Sequence, residues 1–236
     1  MKNKLLTGLL GFFLAILIIT FSIGLPIYFR PFYYMQIDAL DIEEYYHAYA
    51  EWCGIEGHEE IGREDIKDAF NEVMDYLTLP GHEFGTGKLA YSEEGKAHFV
   101  DCKGLFDLNA IAFIISLIGA ATLLILNKKK VFQLWRPFGM NIAFCSGAFT
   151  LGGFAVIGGL ASINFDVAFE VFHKLFFPGK DNWLFDPVTD QIILILPQDF
   201  FMNCAILILV SIILICLTCI ILSLIPKWRE KLASED

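Results

Sequence analysis

The chain reads as an α-helical integral membrane protein: four transmembrane helices with a small mixed α/β extracellular cap. Three observations predict this. Hydrophobic residues make up 56% of 236 residues and charged residues 19%, at a mean hydropathy of +0.57, so the two kinds must be segregated along the chain. Four apolar runs are long enough to cross a hydrocarbon core, which takes roughly 20 helical residues. Basic residues gather in the short connections, whereas the acidic ones fill two long segments. The net charge of −10 argues against nucleic acid as a partner, because phosphate binding needs basic patches.

The first span is expected within 1–29, centred on the apolar run Leu5 to Ile27, with the N-terminus cytoplasmic. That run is too long for the apolar core of a cleavable signal, and no small-x-small site follows it, so it is expected to remain as an anchor. Residues 30–108 form a first extracellular cap segment, 109–127 the second span, 128–138 a basic cytoplasmic loop and 139–163 the third span. A second cap segment covers 164–199, the fourth span 200–225 and a cytoplasmic tail 226–236. Lys2 and Lys4, then Lys128, Lys129, Lys130 and Arg136, then Lys227, Arg229 and Lys231 mark the inner side, because basic residues accumulate in short cytoplasmic flanks. Of the acidic residues, all but Glu230, Glu235 and Asp236 fall in the two cap segments.

Inside the first cap segment, Ile66, Phe70, Val73, Met74 and Leu77 recur at helical spacing, with Asp65, Lys67, Asp68, Glu72 and Asp75 opposite. This predicts a helix from Arg63 to Leu77 that Pro80-Gly81 terminates. Ile42 to Trp52 is a weaker helical stretch. Gly85 to Tyr91 and Gln191 to Leu196 read as short strands, the second set off by Asp186-Pro187 and Pro197. Glycines of the third span, including Gly147, Gly152, Gly153, Gly158 and Gly159, are expected to permit close helix packing. Cys145, Cys204, Cys216 and Cys219 read as small apolar residues. Cys53 and Cys102 face outward, and whether they are bonded is left open by the sequence.

Chemistry centres on histidine. Of five copies, His98 lies eleven residues before the second span, in a stretch that Ser92 is placed to N-cap and that is able to run as a helix into the membrane. His173 lies about ten residues after the third span, so both are expected near the outer interface. On a helix His98 shares a face with Asp101 and Cys102, and His173 with Asp166, Glu170 and Phe177. Each imidazole then has a carboxylate within reach to fix its tautomer. Spacing alone leaves this even with a pair of ordinary solvated faces. The aromatic residues around His173, among them Phe165, Phe169, Phe172, Phe176, Phe177, Trp183 and Phe185, fit an interfacial belt or an apolar chamber for acyl chains. Neither His58-Glu-Glu nor His82-Glu-Phe continues to the second histidine of a zinc helix, and there is no Gly-x-Ser-x-Gly elbow. No metal site is expected.

Taken together, Asp65 to Leu77, Ser92-Glu-Glu-x-x-x-His98-Phe-Val-Asp-Cys-Lys103, Phe172 to Pro178, and Trp183 to Asp190 continuing through Leu196 to Phe201 resemble the bacterial lipoprotein intramolecular transacylase family, Lit. The resemblance covers nearly the whole chain. It implies a four-span membrane enzyme with an extracellular cap, whose substrate is a diacylglyceryl-modified lipoprotein freed of its signal peptide. Such enzymes move the sn-2 acyl chain to the amino group of the lipoprotein's N-terminal Cys, giving a lyso form. The family's two catalytic histidines fall on His98 and His173. Cys102 stands where the family is expected to carry Val.

On this resemblance Asp101, Glu170 and Asp186 are candidate supports, and Tyr76, Phe177 and Trp183 candidate chamber walls. Donor and acceptor share one molecule, so no cofactor is expected. The partners are the lipoprotein substrate and membrane lipid. Three rival readings remain: a thiol route through Cys102, a metal-dependent lipid hydrolase, and a non-catalytic membrane protein whose acidic cap binds a partner or senses the outside.

Overall fold

The computed structural model describes residues 1–232, with side chains described for 1–225. The side chains of the expected tail at 226–236, Lys227, Arg229 and Lys231 included, lie outside the described residues. Four helices are long and apolar enough to cross a membrane: α1 (Lys2–Tyr28), α5 (Glu93–Lys128), α6 (Ile142–Ile163) and α9 (Gln198–Leu232), the last apolar as far as Ile225. The intervening helices are α2 (Pro31–Ala39), α3 (Ile42–Cys53), α4 (Arg63–Thr78), α7 (Phe165–Phe176) and the short α8 (Ile192–Ile195).

Two compact units result. One comprises residues 1–24, 109–163 and 207 onward. Here Leu10 of α1 is buried against Ala120 and Leu123 of α5 and Phe132 of the following loop. Farther along α1, Ile18 packs on Ile212 and Cys216 of α9. Ile111, Ile114, Ile115 and Ile118 of α5 and Leu214 and Ile221 of α9 stay exposed, as residues facing lipid do.

The glycines that bring helices together are only partly those expected. A Cβ at Gly147 would stand 3.1 Å from the Cys216 carbonyl oxygen, and one at Gly158 would stand 3.1 Å from Leu209. Gly152, Gly153 and Gly159 face open space instead. Gly11 and Gly119, outside the third span, also make close approaches, to Ile142 and to the Phe13 ring. At the first of these, Ser146 Oγ donates to the Gly11 carbonyl at 3.0 Å.

The other unit comprises residues 25–108 and 164–206. Its centre is Tyr33 of α2, stacked on Phe70 of α4 at 3.7 Å between ring centroids, edge-on to Phe200, and donating its hydroxyl proton to the Ile195 carbonyl at 2.8 Å. Around it Ile37, Ile42, Tyr46, Ile66, Val73, Leu77, Ile192 and Leu194 are fully or almost fully buried. α4 forms where the periodicity predicts, its start held by Asp65 accepting from the Gly62 amide at 3.0 Å.

The α/β reading of this part is corrected: among the described residues there is no strand. Residues 85–91 are irregular, because Gly87 at φ +59° turns the chain while its amide donates to Glu72 at 2.8 Å. The run after Gln191 coils into α8 and buries Ile192, Leu194 and Ile195. A short apolar run fits a buried helical turn as well as a strand, so its pattern does not discriminate. A backbone link does join the two stretches, Gln191 N to Ala90 O at 3.0 Å, but it does not extend into a ladder. α2 is an element the sequence reading did not contain.

Candidate functional site

α5 begins where Ser92 accepts the Gly95 amide at 2.9 Å, an N-cap as expected. This start is clamped by Asp190, only 4% exposed, which accepts from the Ser92 amide at 2.8 Å, from the Ser92 hydroxyl at 2.9 and 2.8 Å and from Thr189 Oγ1 at 3.0 Å. Gly95 is required at this crossing, since a Cβ would run into the Asp190 carboxylate and lie 3.2 Å from Phe185. One turn onward the helix presents His98. From the second segment α7, capped by Asn164 on Val167 N at 3.1 Å, presents His173 as its one buried residue.

The two imidazoles meet. Their ring centroids are 5.8 Å apart, and the residues are 6% and 7% exposed. Aromatic rings surround them: Phe177 at 4.9 Å and Phe185 at 5.5 Å from His98, and Phe169 at 4.3 Å and Trp183, stacked, at 4.5 Å from His173. His173 Nδ1 donates to the Phe169 carbonyl at 2.7 Å. A carbonyl oxygen only accepts, so in the neutral ring Nδ1 carries the proton and Nε2 is the free base. His98 Nε2 lies 3.4 Å from Cys102 Sγ.

Burial sets the charge state. His98, on the polar first turns of α5 ahead of the apolar run from Asn109, has its pKa pushed down to about 4, first by desolvation and then by the facing His173, with Asp101 opposing. His173 is lowered by desolvation, its bond to Phe169 acting in the other direction. Both rings are therefore neutral near pH 7. Burial pushes the Cys102 thiol up to about 12. It is held as the thiol, a poor nucleophile.

Phe177 and Trp183 thus lie directly against the imidazoles. Tyr76 does not; it joins through an aromatic chain, Tyr76 to Phe84 at 5.4 Å and Phe84 to Phe99 at 5.1 Å, with Lys103 Nζ 4.7 Å above the Tyr76 ring. Asp101 accepts from Lys180 at 2.6 Å and from Asn182 Nδ2 at 3.4 Å. Glu170 pairs with Lys174 at 2.5 Å on the exposed side of α7. Asp186 caps its own turn, accepting from Val188 N at 2.9 Å. Neither Asn182 nor Asp190 is marked as a site residue by the sequence: Asp190 ends the Trp183-to-Asp190 motif, whereas Asn182 carries no spacing signal. All six cysteines are free thiols, Cys53 and Cys102 included. Among the described residues no group of three or more His, Cys, Asp or Glu side chains is arranged to hold a metal ion.

Four apolar spans and a buried pair of histidines among aromatic rings define a polytopic membrane protein. The family model described as lipoprotein intramolecular transacylase Lit matches residues 8–201. The chain belongs to that family and is a membrane acyltransferase acting on lipoproteins. It is similar to the in meso structure of the membrane-integral lipoprotein intramolecular transacylase Lit from Bacillus cereus, with a TM-score of 0.79 and 28% identity over 97% of this chain and 98% of that one. Variants of the Bacillus cereus protein with one histidine replaced by arginine or by alanine also match. Each has a TM-score of 0.75 and 25% identity, covering 98% and 97% of this chain and 95% and 96% of theirs. A search of curated proteins returned no match.

Proposed function

We propose that the protein moves the sn-2 acyl chain of a diacylglyceryl lipoprotein to the amino group of that lipoprotein's N-terminal Cys, using His98 and His173. The nucleophile is an amine with an ordinary pKa of about 8 that must lose a proton to attack. The ammonium first sheds its extra proton to solvent; as the free amine forms the nitrogen–carbon bond, one imidazole Nε2 takes a second proton from that nitrogen. The imidazolium gives this proton to the glyceryl oxygen as the carbon–oxygen bond breaks, so the acyl chain and one proton exchange places. The second imidazole, 5.8 Å away between ring centroids, stabilises the tetrahedral intermediate. Attack closes an eight-membered ring through nitrogen, two cysteine carbons, sulfur, two glycerol carbons, oxygen and the acyl carbon. Rings of that size form reluctantly, so much of the catalysis is confinement and alignment, on the order of several kcal/mol.

The observation that carries the reading is the pair of buried imidazoles 5.8 Å apart among aromatic rings. The substrate enters from lipid: Val167, Val171, Phe172, Leu175 and Phe176 of α7 are exposed apolar residues on the helix that bears His173, a face suited to a bilayer interface. The unit bearing the site is extracellular and both termini are cytoplasmic, as the distribution of basic residues supports.

His98→Ala and His173→Ala, each expressed and folded, are expected to abolish the lyso product in mass spectra of a test lipoprotein. A fully active double variant contradicts the scheme. In the same assay Cys102→Ser is expected to remain active with no acyl-enzyme, whereas the thiol route demands its inactivity.

A further inference from the structure

Nδ1 of His98 is buried and has no hydrogen-bond partner, and so is Oδ1 of Asn182. A buried polar atom left alone is costly, and two on neighbouring side chains call for a joint explanation. The Asn182 amide lies within reach of the His98 ring. Its other end is oriented by chemistry: Nδ2 points to Asp101 Oδ2 at 3.4 Å, and a carboxylate accepts only from the NH₂ side of an amide. Lys180 Nζ, 2.6 Å from Asp101 Oδ1, holds that carboxylate in its charged form. Asp101 therefore prevents the amide from flipping, which leaves Oδ1 as the end free to accept from the imidazole.

We infer that Asn182 is a positioning residue for the acyl transfer, linking the Asp101 carboxylate to His98 and holding the imidazole with its proton on Nδ1 and its lone pair on Nε2. This rests on the two-histidine reading above and deepens it. His98 Nε2 is the nitrogen facing Cys102, which leaves Nδ1 as the nitrogen for Asn182. Both imidazoles then carry Nδ1–H on acceptors supplied by the second segment, His173 on the Phe169 carbonyl and His98 on Asn182, and both turn Nε2 to the substrate. When His98 takes the amine proton, the accepting oxygen of Asn182, itself polarised by Asp101, stabilises the imidazolium. An acceptor toward the charged form acts in that direction. The groups facing His98 are Asp101 and Cys102 from α5, His173 from α7, and Lys180 and Asn182 from the loop after it; of the charged ones only Asp101 favours the cation. The amide adds a hydrogen-bonded link to the support that Asp101 gives through space.

The test is Asn182→Leu, similar in size and unable to accept, with purified protein in detergent, diacylated lipopeptide as substrate and ¹⁵N spectra of the His98 ring. Wild type is expected to show a protonated Nδ1 and an unprotonated Nε2. The variant is expected to lose that preference and to drop in kcat by roughly 10-fold or more with KM unchanged. Should Asn182→Leu fail to fold, Asp101→Asn serves in its place: it frees the Asn182 amide to flip and is expected to mix the tautomers and lower kcat. An Nε2–H tautomer in wild type, or a variant whose activity falls while its tautomer stays put, overturns the assignment. So does a fully active variant beside an inactive His98→Ala. An active His98→Ala instead overturns the two-histidine reading itself.

Discussion

The depressed pKa of His98, about 4, has a consequence for both activity and stability. A base that is harder to protonate folded than unfolded contributes stability fully above its ordinary value near 6.5, and loses it as pH falls through the folded value. Acidification from pH 6.5 toward 4 should therefore destabilise the protein, while the imidazole stays neutral through most of that window. In a spectrum of histidine-labelled protein in micelles, the His98 ring is expected to titrate well below 6.5; a midpoint at or above 6.5 contradicts the burial argument. The two imidazoles were legible in the sequence because histidine is scarce here and both copies flank spans. Their tautomers were not. The partners that set them are Phe169 O, one turn back along α7, and Asn182, whose role depends on a loop conformation that no periodicity encodes. Carboxylates at helical spacing differ in their placement: Asp101 accepts from Lys180 and Asn182 on the face of α5 that bears His98, while Glu170 turns outward to Lys174.

α5 and the turn before α8 meet at the Ser92–Asp190–Gly95 crossing, and this contact fixes where His98 stands on its helix. Asp190→Ala leaves the Ser92 hydroxyl and amide short of a buried acceptor, a loss on the order of 3 kcal/mol. Gly95→Ala is expected to destabilise by driving its methyl into the Asp190 carboxylate. Because the clash needs Asp190, the double variant should fall less than the sum of the two singles in thermal unfolding, and strict additivity would show that the two do not meet. Long amphipathic or apolar helices were readable from sequence, since fifteen or more residues carry the period clearly. The short pieces were not. α2 has aromatic residues distributed around it, and Ile192 to Ile195 is too brief for its pattern to separate a helical turn from a strand.

The molecule divides its composition as its sequence does, apolar helices in one unit and nearly all the acidic residues in the other. That segregation makes the class of protein readable from the sequence. What it did not reveal was how residues 25–108 and 164–206, far apart in the chain, interleave into one unit around Tyr33 and bring His98 and His173 together. Contacts of that sequence separation leave no local pattern.

The most direct test is a crossover experiment on purified protein. Two diacylated lipopeptides are mixed, one with a heavier peptide and a deuterated sn-2 chain, the other unlabelled, and the products are weighed by mass spectrometry. The expected products are the lyso forms in which each acyl chain remains on its own peptide, and their absence when His98 and His173 are both alanine. Crossed products, or undiminished product from the double variant, would contradict transfer within one molecule between the two imidazoles.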